Sequence, residues 1–406
     1  MAKKTIDQLD VKGRRIFIRA DFNVPQDDTG RITDDRRIQA TLPTSRSVLA
    51  RGGSVVAASH LGRPEGSGHE ADYSMAPVVE RLRELLGTDA VSVRLVGKLP
   101  TDVDAAAAAA VLKPGEVLVL ENLRFEKGEK KGDAGFAGKL AAYADAYCND
   151  AFGASHRNDA SMLALPTAMQ SRPRVAGLLL ARELKFLGDT IAHPPRPFVA
   201  ILGGAKVSDK LPALRNLIGR VDAIVIGGAM AYTFLLAQGQ AVGRSLVQRD
   251  LVNEARSLLA EAPAKGTRLV LPVDHVCGQL LEEGTPTQVC PQVPEDWMGL
   301  DIGPATEKAF AAEIATAKLV VWNGPMGAFE IPPFDHGTMA MAKAVAAATK
   351  AGCITIAGGG DTAAAVEVAG MADALTHIST GGGASLEMLE GKDFDSLKPL
   401  DEAHAG

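Results

Sequence analysis

Short runs of β-branched and aliphatic residues recur along the chain, at positions 15–20, 54–59, 91–96, 117–120, 198–202, 223–226, 269–273, 319–322 and 354–357. Runs this short and this continuously apolar fit strands buried on both faces. Between them lie stretches rich in Ala, Leu, Glu, Lys and Arg, among them 76–86, 102–112, 250–260 and 339–350, which read as helices. Strand alternating with helix predicts an α/β protein with parallel sheets and helices on both faces. The alanines of 105–110 form one of these helices, with Val103, Val111 and Leu112 expected to supply its apolar face. No repeat with a period of 20–50 residues is evident.

The pattern is interrupted once, at 192–198, where three prolines forbid regular helix and mark the expected domain boundary. At 406 residues the chain is long enough for two cores, and two domains flanking a cleft follow naturally. The formal charge of -6 argues against a nucleic-acid partner. The chain has neither an apolar run of spanning length nor a leader-like start, which argues against a membrane and predicts a cytoplasmic location. Four scattered cysteines, at 148, 277, 290 and 353, read as free buried thiols.

The 42 glycines are well above ordinary usage of roughly 7%. Many stand where strands end: after 198–202 at Gly203-Gly204-Ala205-Lys206, after 223–226 at Gly227-Gly228, after 354–357 at Gly358-Gly359-Gly360-Asp361-Thr362, and in Ser379-Thr380-Gly381-Gly382-Gly383. Glycine lets backbone approach a ligand closely, and amides opening the next helix bind phosphate. Neither the P-loop pattern nor a dinucleotide fingerprint is present, so this is a phosphate or nucleotide cradle of another kind. Lys206 and Lys210 would share a face if helical, although Pro212 fits only the first turn of a helix. Asp361 either caps a helix or ligates Mg²⁺ on nucleotide phosphates, and Glu330 either accepts from ribose hydroxyls or is plain surface.

The first half offers a different chemistry. Asp21 and Asn23 follow the first strand, either meeting a hydroxyl or forming an Asx turn. His60 and Arg63 follow the second, and Arg37, Arg124 and Arg157 lie near other strand ends or loops. Planar guanidinium groups suit carboxylate and phosphate, so this set fits a small substrate carrying both.

Together, Asp21-Phe22-Asn23-Val24-Pro25, Ser59-His60-Leu61-Gly62-Arg63-Pro64, Glu121-Asn122-Leu123-Arg124-Phe125, Asp150-Ala151-Phe152-Gly153 with His156-Arg157, Gly203-Gly204-Ala205-Lys206, Trp322-Asn323-Gly324-Pro325, the 358–362 segment and 379–385 resemble the signatures of the phosphoglycerate kinase family, in order over nearly the whole chain. The resemblance implies a monomer of two Rossmann-like domains separated by a hinged cleft, transferring a phosphoryl group between 1,3-bisphosphoglycerate and ADP to give 3-phosphoglycerate and Mg-ATP. It implies that residues 1–190, with a tail from about 390 to 406, bind phosphoglycerate through Asp21, Asn23, Arg37, His60, Leu61, Gly62, Arg63, Arg124 and Arg157. Residues 191–389 would bind the nucleotide through Lys206, Lys210, Glu330, Gly359, Gly360, Asp361 and Thr362, with Asp361 on the metal and Lys206 and Arg37 as catalytic residues. The chain departs from the family pattern at 126–131, at Asn158-Asp159, at Pro212 and in the tail. A non-catalytic anion-binding or nucleotide-binding protein of two domains is the alternative, and the Mg-nucleotide cradle is what distinguishes the two.

Overall fold

The computed structural model describes residues 3–403, which form two compact units: 3–185 with 393–403, and 186–392. The chain passes between them at Lys185/Phe186 and at Lys392/Asp393. The first passage lies inside the helical stretch 178–192, upstream of the proline-rich segment expected to mark it.

In the first unit, β1 (Arg15–Ala20), β2 (Ser54–Ala58), β3 (Ser92–Leu95), β4 (Glu116–Val119), β5 (Ala146–Asp150) and β6 (Arg174–Ala176) form one sheet in the order β3-β4-β2-β1-β5-β6. Every neighbouring pair is parallel. β2 and β5 are buried at every position, as strands covered on both faces should be. One face packs Ile16, Ile18, Val55, Val117 and Cys148 against helical Ile38, Leu42, Val78 and Leu82.

The alanine helix spans Val103–Ala110, but its buried face differs from the expected one. Leu112 is buried as expected, but Val103 and Val111 point to solvent, and Ala105, Ala108 and Ala109 are buried in their place.

The tail is stitched to the first unit beside β6. Asp401 accepts from the Arg174 amide (2.9 Å) and from Arg174 Nη2 (2.7 Å), while its own N–H donates to Arg174 O. Ser396 Oγ donates to Ser155 O, and Phe394 lies near the rings of Phe152 and His156.

The second unit holds β7 (Phe198–Leu202), β8 (Ala223–Ile226), β9 (Arg268–Val270), β10 (His275–Gly278), β11 (Thr287–Cys290), β12 (Met298–Ile302), β13 (Leu319–Asn323), β14 (Ile354–Ala357) and β15 (His377–Ile378). The main sheet runs β15-β14-β13-β7-β8-β9, all parallel. This is the doubly wound order, and it reverses between β7 and β13, where such sheets bind ligands. The smaller sheet, β11-β10-β12, is antiparallel and was not anticipated from sequence. Of the four cysteines, all free, only Cys290 is less than buried.

His275 in β10 is buried, with Nδ1 3.3 Å from the Tyr232 hydroxyl. Burial pushes its pKa down to about 4, against a smaller upward pull from Asp274. The native ring stays neutral where the unfolded chain takes up a proton, so its contribution is intact above about pH 6.5 and is lost as pH falls toward 4. Unfolding in urea across this range should show wild-type stability falling more steeply than that of His275→Gln, by up to about 3 kcal/mol in total. Parallel slopes would contradict the assignment.

Candidate active site

At the carboxyl edge of the first sheet, hydrogen bonds join three loops into one. After β1, the Asn23 amide donates to Asp21 Oδ1 (3.2 Å), closing an Asx turn. Asp21 Oδ2 accepts from Arg37 Nη1 at 2.9 Å, and Asn23 Oδ1 accepts from the Gly62 amide at 2.8 Å. After β4, buried Asn122 donates to Leu61 O (2.7 Å) and Tyr73 O (2.9 Å) and accepts from the Arg124 amide (3.0 Å). Arg124 Nη1 then donates to Gly62 O at 2.8 Å. Gly62 has φ +60, and a Cβ there would lie 2.4 Å from ring carbons of Tyr73, so the loop needs glycine. Leu61 is buried beneath it.

His60 is 2% exposed, with Nδ1 3.2 Å from Arg19 Nη2 and Nε2 3.5 Å from Arg157 Nη1. Burial, then Arg19, Arg124, Arg157 and Arg37, hold its pKa well below the usual histidine range. Burial also pushes Arg124 down, with Arg157 adding to the effect and Asp159, 3.9 Å away, opposing it. The sequence therefore does bring Arg37, His60, Arg124 and Arg157 into one electrostatic group. Arg63, in contrast, is exposed and makes no hydrogen bond or ion pair among the described residues.

Two members of this group were not singled out from sequence. Arg19 is wholly buried, donating from Nε to Ser161 Oγ (2.7 Å) and from Nη1 to Ala20 O. Glu129 is also wholly buried, accepts from Ser161 Oγ (2.6 Å) and N (3.0 Å), and lies 4.0 Å from Arg19 Nη2. Burial raises the Glu129 pKa, and Arg19 pulls it back. The signal was an arginine set inside an otherwise apolar strand.

In the second unit, the loops after β7, β8 and β13 lie backbone on backbone. The Gly203 amide donates to Asn323 O (3.0 Å), Gly204 to Pro325 O (3.0 Å) and Gly228 to Met326 O (2.9 Å). Gly203, Gly227, Gly228 and Gly324 therefore serve loop-to-loop packing, whereas Gly204, Gly360, Gly382 and Gly383 have open space where a Cβ would stand.

Lys206 is exposed in the loop after β7. Lys210 precedes the helix Leu211–Leu217, which carries Pro212 in its first turn, so the two lysines do not share a helical face. Lys210 is half-buried and donates from Nζ to Asn323 Oδ1, and Asn323 Nδ2 donates to Gly358 O at 2.8 Å. Burial lowers the Lys210 pKa, offset in part by Asp361 and then by Asp209 and Glu390. Gly359 (φ +97) precedes the helix Gly360–Val368. Thr362 in its first turn is buried, and its hydroxyl accepts from the Gly324 amide at 2.7 Å. Lys206, Asp361 and Glu330 are exposed and make no hydrogen bond or ion pair among the described residues.

The profile of the phosphoglycerate kinase family matches residues 6–392. A phosphoglycerate kinase of Rhodopirellula baltica is 54% identical over 407 residues, covering 99% of this chain and 100% of its own. One of Triticum aestivum, described as cytosolic, is 48% identical, covering 98% of each chain. The structure of phosphoglycerate kinase from Coxiella burnetii superposes with a TM-score of 0.88 at 36% identity, and that from Pyrococcus horikoshii with 0.82 at 29%, each covering 98% of both chains. With one profile spanning nearly all residues and relatives matching over nearly their full length, the chain belongs to the phosphoglycerate kinase family.

Proposed function

We propose that the family reaction, reversible phosphoryl transfer between 1,3-bisphosphoglycerate and ADP to give 3-phosphoglycerate and ATP, is divided here between phosphoglycerate on the first unit and nucleotide on the second. The observation that carries this division is the group of Arg37, Arg124 and Arg157 around buried His60, a positive concentration suited to an anionic substrate. Arg63 adds an unpaired guanidinium, Asp21 and Asn23 face the substrate hydroxyl, and Leu61 with Gly62 shapes the floor. The non-catalytic alternative is not favoured, since full-length relatives are named as kinases.

On the second unit the amides of Gly359, Gly360, Asp361 and Thr362 open a helix and suit phosphate oxygens. The Thr362 hydroxyl is engaged with Gly324, which leaves its backbone as the group for a ligand. Lys210 would bind phosphate from its seat on Asn323, and Glu330 would accept from the ribose. Lys206 is unpaired and exposed, suited to the charge that builds on the equatorial oxygens during transfer, with Arg37 assisting.

Among the described residues no group of three or more His, Cys, Asp or Glu side chains could hold a metal by itself. The unpaired Asp361 carboxylate beside phosphate-binding amides fits the way Mg²⁺ is held, by one or two carboxylates with phosphates and water. Bound there, Mg²⁺ would neutralise phosphate charge. In-line transfer also needs water kept from the acyl phosphate, the reason for expecting a closing movement. Among the described residues no helix is long and apolar enough to cross a membrane. A monomer in the cytoplasm completes the proposal.

Supplying 3-phosphoglycerate with Mg-ATP should release ADP in a coupled assay, and chelation should abolish turnover until Mg²⁺ is restored. Absence of ADP above background would sink the assignment, and turnover resistant to chelation would sink the metal site.

A further inference from the structure

Both ring nitrogens of His60 face a guanidinium. A guanidinium offers N–H donors and no acceptor, so neither arginine can take a proton from the ring, yet a neutral imidazole must keep one. The two contacts differ in which can yield. Arg19 is locked by Ser161 and Ala20 O, with Glu129 behind it, and Ser161 in turn donates to Glu129. Arg157 is only half-buried, and its contact is the longer.

We propose that Arg19 is a positioning residue for His60: it donates to Nδ1, confines the imidazole proton to Nε2, and so makes Nε2–H a fixed donor to an anionic oxygen of the phosphoglycerate. This rests on the proposed placement of that substrate at His60. An oxygen accepting from both Nε2 and Arg157 would also relieve the opposition of two donors there. The charged groups that bear on the ring are Arg19 from β1, Arg37 from the helix Arg36–Ala50, Arg124 from the loop after β4 and Arg157 from the loop after β5, and all oppose a second proton. His60 thus acts as a neutral donor rather than a cation.

The test is long-range ¹H–¹⁵N correlation on the full chain with labelled histidine, His60 being assigned by its loss in His60→Gln. The expected spectrum shows His60 as the Nε2-protonated tautomer with no titration between about pH 8 and 5. An Nδ1–H tautomer or an imidazolium would overturn the proposal, and this needs no altered Arg19. In Arg19→Met the single tautomer should be lost and KM for 3-phosphoglycerate should rise about tenfold, the scale of one hydrogen bond, with KM for ATP unchanged. Arg19→Lys should recover part of both. Equal rises in both KM values would indicate a structural role only and overturn the positioning role. An Nε2 signal unmoved by saturating 3-phosphoglycerate would overturn the substrate placement instead, leaving the tautomer intact.

Discussion

Lys206→Ala is expected to lower kcat by at least about 100-fold, the scale of one donor lost from the transition state. The side chain stands in the loop after β7, where the main sheet of the second unit reverses direction. It is exposed and holds no carboxylate, so its charge is available to phosphate oxygens. The same exposure means that its removal should change stability by no more than about 0.5 kcal/mol. Steady-state kinetics with urea unfolding alongside separates the two effects. Near-normal turnover by the variant would remove Lys206 from the chemistry.

The second large effect is expected at Gly324. Its φ is +100, and a Cβ there would lie 2.2 Å from Gly203 O and 2.5 Å from Gly203 C. The obstacle is backbone of the loop after β7, pinned by the Gly203 amide on Asn323 O, which cannot move aside as a flexible side chain would. Gly324→Ala should therefore destabilise the second unit by about 3 kcal/mol or more, adding strain at positive φ to overpacking. The Gly324 amide also holds Thr362, and the preceding Asn323 holds Lys210, so KM for ATP should rise as well. Gly204→Ala is the control, since its φ of +111 carries strain but nothing lies within 4 Å of the added carbon. Its cost should be nearer 1 to 2 kcal/mol. Equal losses from the two variants would show that the collision is relieved by relaxation.

The strands whose bounds were read most closely are those buried almost throughout, although 91–96 and 269–273 also overlap the less buried β3 and β9. The runs 15–20, 198–202, 223–226 and 354–357 coincide with β1, β7, β8 and β14, because full burial selects an unbroken apolar run. β10, β11 and β12 were not legible, since exposed positions such as Thr287, Gln288 and Val289 relax that selection. The glycine segments were visible, but their use was only half read. Sequence does not distinguish a backbone approaching a ligand from one approaching another loop, and Gly203 and Gly324 belong to the second case. In the first unit Arg37, His60, Arg124 and Arg157 were singled out near strand ends or loops, whereas Arg19 and Glu129 were not, because their partnership spans a separation no motif records.

The segment 393–403, which ties Asp401 to Arg174, is synthesised only after every residue of 186–392. On a ribosome the contiguous second unit can therefore complete itself first. The first unit, begun earlier, has to wait for its final stitch, with Arg174 in β6 lacking its Asp401 partner until then. Chaperone contacts and proteolytic nicking during synthesis should concentrate there rather than on the second unit.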